Sequence, residues 1–316
     1  MRNLPQVVAA AVAVCTLSFV APADAGANKA WTAAKAAMPA DTSVAIGIDV
    51  TAVAKSATFE KLFPIALGKD AQIKQGFDLF KVACKMDPFV VIHGMAVGLD
   101  ATQSDGAIFI HIADFNPQKL ETCLQQVAKA KGAGAKADSV SMTTKDGVTE
   151  LTNEGAKLYF GWLNGDVLVM VPKHLEDRAA LKTWMGGGFG KGALGKMMGK
   201  VNTSSAVFVA STAGKSIDAT HNLKQGYGWI TLAGANMAME FHGDLGDAAA
   251  AKGLATDATT QVQQLRDNPP LPAIADMLKN VTVTPAATEI VLKASVVEKD
   301  FADLVALLLS SMGSGN

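Results

Sequence analysis

The chain has 316 residues, is 49% apolar, 18% charged and 6% aromatic, and carries a formal net charge of -1. It is too apolar and too weakly charged to remain unfolded. It is also too neutral for a dedicated nucleic-acid binder, which needs a basic field to displace counterions from phosphate. Three cysteines are too few for a small disulfide scaffold, and the length gives room for one large domain or two modest ones.

Residues 1–25 read as a secretory signal. Arg2 supplies a positive start, Val7 to Val20 is apolar, and Ala23-Asp24-Ala25 has the small-x-small pattern that signal peptidase requires. Cleavage after Ala25 is expected, with export to a periplasmic or extracellular space. The apolar run is shorter than the roughly 20 residues of a membrane span. Cys15 lies inside that run, where a lipidated cysteine would follow it. The later stretch Phe301 to Leu309 is also too short to span and reads as a packed helix.

In chain order, Met38-Pro39-Ala40-Asp41-Thr42 marks a turn into a buried strand, Ser43 to Val50. A short helix near Phe59 to Leu67 is interrupted by Pro64. Ile73, Phe77, Phe80 and Cys84 recur on one helical face, and Asp87-Pro88 ends that helix. Two strands are predicted at Phe89 to Leu99 and Ala107 to Phe115, joined through Ser104-Asp105-Gly106. Asn116-Pro117 is a cap followed by a proline at the first helical position, and Leu120, Cys123, Leu124 and Val127 form the stripe of the helix it starts. A Lys, Gly and Ala-rich linker covers Lys129 to Lys136. Residues 139–171 read as a meander with turns at Asp146-Gly147, Glu154-Gly155 and Asn164-Gly165, because these pairs tolerate positive φ. A helix from Lys173 to Met185 leads into a glycine-rich stretch and a short helix with Leu194, Met197, Met198 and Val201. The second part starts with a strand, Ser205 to Thr212, followed by a hairpin, Tyr227 to Ala233 with Asn236 to Leu245. A long helix from Asp247 to Arg266 stops at Pro269-Pro270. A short helix near Ile274 to Leu278, strands at Val281 to Thr284 and Glu289 to Val296, and a closing helix complete the chain.

This order repeats. The expected architecture is α+β, in two similar halves, each an antiparallel sheet with helices packed on one face. The halves are 26–185 and 205–316, joined by a Gly/Lys/Met-rich connector at 186–204. Ala113-Asp114-Phe115 and Gly243-Asp244-Leu245, each before a long helix, anchor the repeat.

Chemical motifs are few. Gly190 to Gly195 matches GxGxxG, and Gly190 to Lys196 matches the start of a phosphate loop. Met197 stands where that loop needs Ser or Thr, and the preceding element is a helix rather than a strand. The stretch reads better as a connector. Its Trp184, Phe189, Lys191, Lys196, Met197, Met198 and Lys200 form a candidate contact surface for a partner or a membrane. Cys84 and Cys123, on the stripes of neighbouring helices, are expected to form a disulfide in an oxidising compartment. The histidines at 93, 111, 174, 221 and 242 lack metal-site spacings. His111 and Asp114 point to opposite strand faces, while His242 and Asp244 share one. There is no nucleophile elbow and no SxxK motif.

The Met38-to-Thr42 turn into a strand, the run Leu194 to Ala210 and the paired α+β halves resemble exported bacterial envelope proteins of unknown function. That resemblance implies export and fold style and carries no catalytic residues. The expected role is therefore non-catalytic binding or structural support in the envelope, without a cofactor. The partner is an unknown envelope protein or an apolar ligand, not nucleic acid, and any membrane contact is peripheral. An unrecognised hydrolase and a peripheral membrane protein are the alternatives.

Overall fold

A computed structural model describes residues 29–69, 71–102, 105–130, 141–153, 156–217 and 220–313. The expected signal peptide at 1–25, most of the 129–136 linker, Ser104 and the Glu154-Gly155 turn lie outside the described residues. The chain is an α+β protein that divides into two compact units. The first comprises Ala66–Lys196 with the chain leading up to Thr51, and the second comprises Ala52–Ile65 with the chain from Met197 on.

The first unit begins with helix α1 (Lys29–Ala37), strand β1 (Val44–Asp49) and the start of α2 (Val50–Val53). It resumes towards the end of α3 (Ala57–Lys69). Next come α4 (Ala71–Cys84), α5 (Pro88–Val91), β2 (Ile92–Leu99), β3 (Gly106–Ile112) and α6 (Pro117–Ala130). Strands β4 (Ser141–Lys145), β5 (Val148–Asn153), β6 (Ala156–Leu163) and β7 (Val167–Met170) follow, then α7 (Arg178–Trp184) and α8 (Ala193–Met197). Its strands run in the antiparallel order β1-β2-β3-β7-β6-β5-β4. Asp146, Gly147, Asn164 and Gly165 all have positive φ, the backbone state for which these turn residues were singled out.

Two local expectations change. Phe89 to Val91 is helical, not strand. Asp87 caps α5 by accepting the Phe89 N–H at 3.0 Å, and Pro88 takes the first helical position. The same Asp-Pro pair that was expected only to end a helix thus starts one. Helix α3 runs through Pro64, although proline removes a backbone hydrogen bond from a helix interior.

In the first unit both faces of the sheet carry helices, not one face as expected. On one face Ile112 and Leu168 join Phe115, Cys123 and Trp162 in a buried cluster, with Phe80, Cys84 and Leu120 packed against it from α4 and α6. The buried Trp162 indole N–H donates to Thr149 Oγ1 at 3.1 Å, so the ring carries no unmet donor into the core. Pairing of Gly98 with Ala107 and of Phe109 with Val169 defines the opposite face. There α1 buries Ala30, Trp31, Ala33, Ala34 and Ala37, and Met38 packs directly over Gly98.

The second unit contains β8 (Val207–Ser211), the short β9 (Lys215–Ser216) and β10 (Asn222–Leu223), β11 (Gln225–Ala233), β12 (Asn236–Asp244) and α9 (Ala248–Asp267). It closes with α10 (Pro272–Leu278), β13 (Thr282–Ala286), β14 (Glu289–Val297) and α11 (Glu298–Gly313). Its main strands run in the antiparallel order β8-β11-β12-β14-β13. Gly226 and Gly228 of β11 lie beneath the Phe241 ring of β12. A Cβ at Gly228 would come within 2.7 Å of the Glu240 carbonyl oxygen and 3.1 Å of that ring.

Segment Ala52–Ile65 joins this unit through an interlock of two helix N-termini. Ser56 caps α3 by accepting the Phe59 N–H at 3.0 Å. The Thr58 N–H donates to Glu298 Oε1 at 2.7 Å, and Glu298 is itself the first residue of α11. Glu298 is only 5% exposed. Its carboxylate thus meets a backbone donor that α3 leaves unpaired at its start. Lys61 also pairs with Asp303 one turn further along.

Candidate functional site

The densest polar cluster of the second unit lies on one face of β11, β12 and β14. Tyr227 pairs across from His242, and Trp229 across from Glu240, which in turn faces Lys293. Directly opposed residues share a face, so the period-2 strand geometry alone gathers these side chains. The Tyr227 and His242 rings stack with centroids 4.5 Å apart and planes 7° apart, and Trp229 lies 5.6 Å from the same imidazole.

His242 is held at both nitrogens. Nε2 is 2.9 Å from Glu240 Oε1 and Nδ1 is 3.3 Å from Glu289 Oε2. Each carboxylate is also tied to a lysine. Lys293 Nζ is 3.0 Å from Glu240, and Lys200 Nζ is 2.9 Å from Glu289. The Tyr227 hydroxyl donates to Glu289 at 3.4 Å. Burial, reinforced by the Glu289 charge, pushes the Tyr227 hydroxyl pKa up. Burial would also raise Glu240, but its bonds to Lys293 and His242 outweigh this and hold it low. The Glu289 hydrogen bond raises Lys200.

A neutral imidazole carries one N–H and an imidazolium carries two. A general base needs a nitrogen free to face its substrate, whereas both nitrogens of His242 face carboxylates. The arrangement balances charge within itself. Among the described residues no group of His, Cys, Asp or Glu side chains is placed to hold a metal ion. No described helix is long and apolar enough to cross a membrane.

The first unit has a smaller cluster on β3. His111 is 8% exposed, and its Nε2 is 3.5 Å from Asp166 Oδ2. Lys29, the first residue of α1, holds the same carboxylate oxygen at 2.7 Å. His93 sits at a register shift in β2 and meets His111 edge-on, with ring centroids 5.4 Å apart. Such a bulge re-aims a side chain. Burial pushes the His111 pKa down, and Asp166 only partly opposes this.

The two histidines share a sequence setting. His111 lies five residues before Asn116, whose side chain caps α6, and His242 lies five residues before Asp247, which caps α9. Each imidazole has a carboxylate at the start of the neighbouring strand, Asp166 before β7 and Glu289 in β14. Each of those carboxylates is bound by a lysine from the segment ahead of the unit's first strand, Lys29 or Lys200. In the sequence His242 is linked only to Asp244, by spacing. Asp244 instead accepts from Gln225 and from the Gly246 N–H, which fixes the turn before α9. Glu240, Glu289 and Tyr227 carry no functional expectation in the sequence, and Lys200 only that of a contact surface, although the alternation of polar residues along β12 is a readable sign of a polar face.

The expected contact surface at 184–200 is corrected. Trp184 is 5% and Phe189 1% exposed, and Met197 and Met198 are buried too. Phe189 meets Trp31 edge-on at 6.4 Å. The glycine-rich stretch is packed against the chain just after α1: Gly187 N–H donates to Ala37 O at 2.7 Å, and Phe189 N–H to Met38 O at 2.9 Å. A Cβ at Gly192 would overlap the Ala40 carbonyl oxygen, and one at Gly195 the Phe189 carbonyl oxygen. Close backbone approach therefore accounts for these glycines. Only Lys191, Lys196 and Lys200 remain outward, and Lys200 is committed to Glu289.

Cys84 and Cys123 form a disulfide between α4 and α6, with Cα atoms 4.7 Å apart, within the range such a bond requires.

No family model and no curated protein matches the sequence. Among solved structures, the chain is similar to TP0453. Crystal form I aligns with 11% identity and a TM-score of 0.45, over 87% of this chain and 96% of that one. Crystal form III aligns with 12% identity and the same TM-score of 0.45, over 87% and 97%.

Proposed function

We propose that this is an exported protein of the cell envelope that acts by binding or structural support and not by catalysis. Its partner would be an envelope protein or an apolar ligand. The observation that carries the reading is the Cys84–Cys123 bridge, taken with residues 1–25 that read as an export signal, because structural disulfides persist in oxidising compartments. The internal pairing of the His242 cluster favours a non-catalytic role. A hydrolase would need a free base or nucleophile in its place. Fractionation of cells expressing the full chain, with non-reducing mass spectrometry, tests this. Processed protein in the envelope with no free thiol at Cys84 or Cys123 is expected. Unprocessed cytoplasmic protein with both thiols free would reject the proposal. A pull-down from envelope extracts would then identify the partner.

The two units are also proposed to be copies of one ancestral module. Support comes from the strand order, β1-β2-β3-β7-β6 in one and β8-β11-β12-β14-β13 in the other. In each, the long helix follows the third strand. The β4–β5 hairpin is then an addition to the first copy. An experimental structure should superpose these strands pair by pair and bring His111 onto His242; a register that places the two rings on opposite faces would sink the duplication.

A further inference from the structure

The arrangement around His111 puts three basic groups about one carboxylate. Asp166 faces the ring from the turn before β7, Lys29 from α1, and His93 from β2. These are the charged and titratable groups acting on it. While the ring is neutral, Asp166 and Lys29 balance each other. A proton on His111 adds a buried cation whose only carboxylate is already engaged at 2.7 Å, beside a second ring that can itself become charged. Desolvation makes such a partly compensated charge costly. The ring lies on the sheet face that α1 covers, and Lys29 ties the start of α1 to Asp166.

We propose that His111 is an acid-responsive switch in the first unit, and that its protonation loosens the hold of α1 on the sheet. The imidazolium competes with Lys29 for Asp166 and repels His93, so the tie at the first residue of α1 is weakened first. The lowered pKa of the buried ring agrees with this direction. An imidazolium at His242, by contrast, would lie between two carboxylates. The switch is therefore expected in one unit only.

Hydrogen exchange on the full-length purified protein tests this at pH 7.5, 6.5 and 5.5, with rates corrected for intrinsic pH dependence. Amides of α1 should exchange about three- to tenfold faster at the lowest pH, while those of β12 and β14 stay level. His111→Gln should abolish the acid effect. His93→Gln, at an exposed position, should reduce it without altering exchange at pH 7.5, and it decides the matter if His111→Gln does not fold. Exchange of α1 that is unchanged by pH would overturn the proposal. So would an acid effect that is undiminished in the folded variants, or one equal in both units. The measurement does not depend on where the protein resides, so it stands apart from the export reading.

Discussion

His111 and His242 each stand five residues before the cap of a helix, yet their surroundings differ in charge balance. His242 has two carboxylates and two lysines about it. His111 has one carboxylate, one lysine and a second histidine. His242 lies between two carboxylates, whereas His111 shares its one carboxylate with Lys29. One strand position can thus tolerate or resist charge according to its cross-strand neighbours. The units also differ in how they are fastened. The first has a disulfide inside its core, and the second relies on the buried Glu298 between two helix starts.

Removing each fastening should show how far these differences reach. The largest effect is expected from Cys84→Ala with Cys123→Ala. The bridge closes a sequence separation of 39 residues, for which the chain-entropy model gives about 4 kcal/mol. Urea unfolding followed by hydrogen exchange should show the loss in the first unit, and an equal loss in the second would contradict the division. Next is Glu298→Ala. It strands the buried Thr58 N–H and should cost the second unit about 1–3 kcal/mol, leaving the first unchanged in the same assay. Gly228→Ala forces β11 away from the Glu240 carbonyl or displaces Phe241. About 1–3 kcal/mol is expected, with protection lost in β11 and β12. A neutral outcome would show that the β11–β12 pairing can shift at this point without cost.

Acid brings a smaller, directional effect. His111 has a folded pKa below its ordinary value of about 6.5. The unfolded chain therefore binds the extra proton more readily. This contribution to stability is complete above about pH 6.5 and declines as pH falls below it. His111→Gln should flatten that part of the stability curve. The least effect belongs to Lys293→Met, since Lys293 is 56% exposed and surface ion pairs contribute about 0–1 kcal/mol.

Much of the local structure was legible from short-range chemistry. Asn116 caps a helix where it was expected to act, and the turns at 146–147 and 164–165 adopt positive φ. The pairing of Cys84 with Cys123 followed from two apolar stripes on neighbouring helices. What could not be read depends on distant partners. Glu240 and Glu289 become a site only when β12 and β14 align, a register set by strands far apart in sequence. The glycines at 192 and 195 look like a phosphate loop because both solutions need a bare backbone. Only the position of the Ala40 and Phe189 carbonyls distinguishes them. The burial of Trp184 and Phe189 likewise depends on α1, about 150 residues upstream.

The bond from Thr58 to Glu298 spans 240 residues of sequence. A chain threaded outward from its N-terminus delivers Ala52–Ile65 long before α11 arrives. The second unit therefore cannot close until nearly the whole polypeptide has emerged, and until then the start of α3 must wait with an open amide. Prematurely terminated chains would carry that unfinished end in every copy, a ready mark for quality-control proteases.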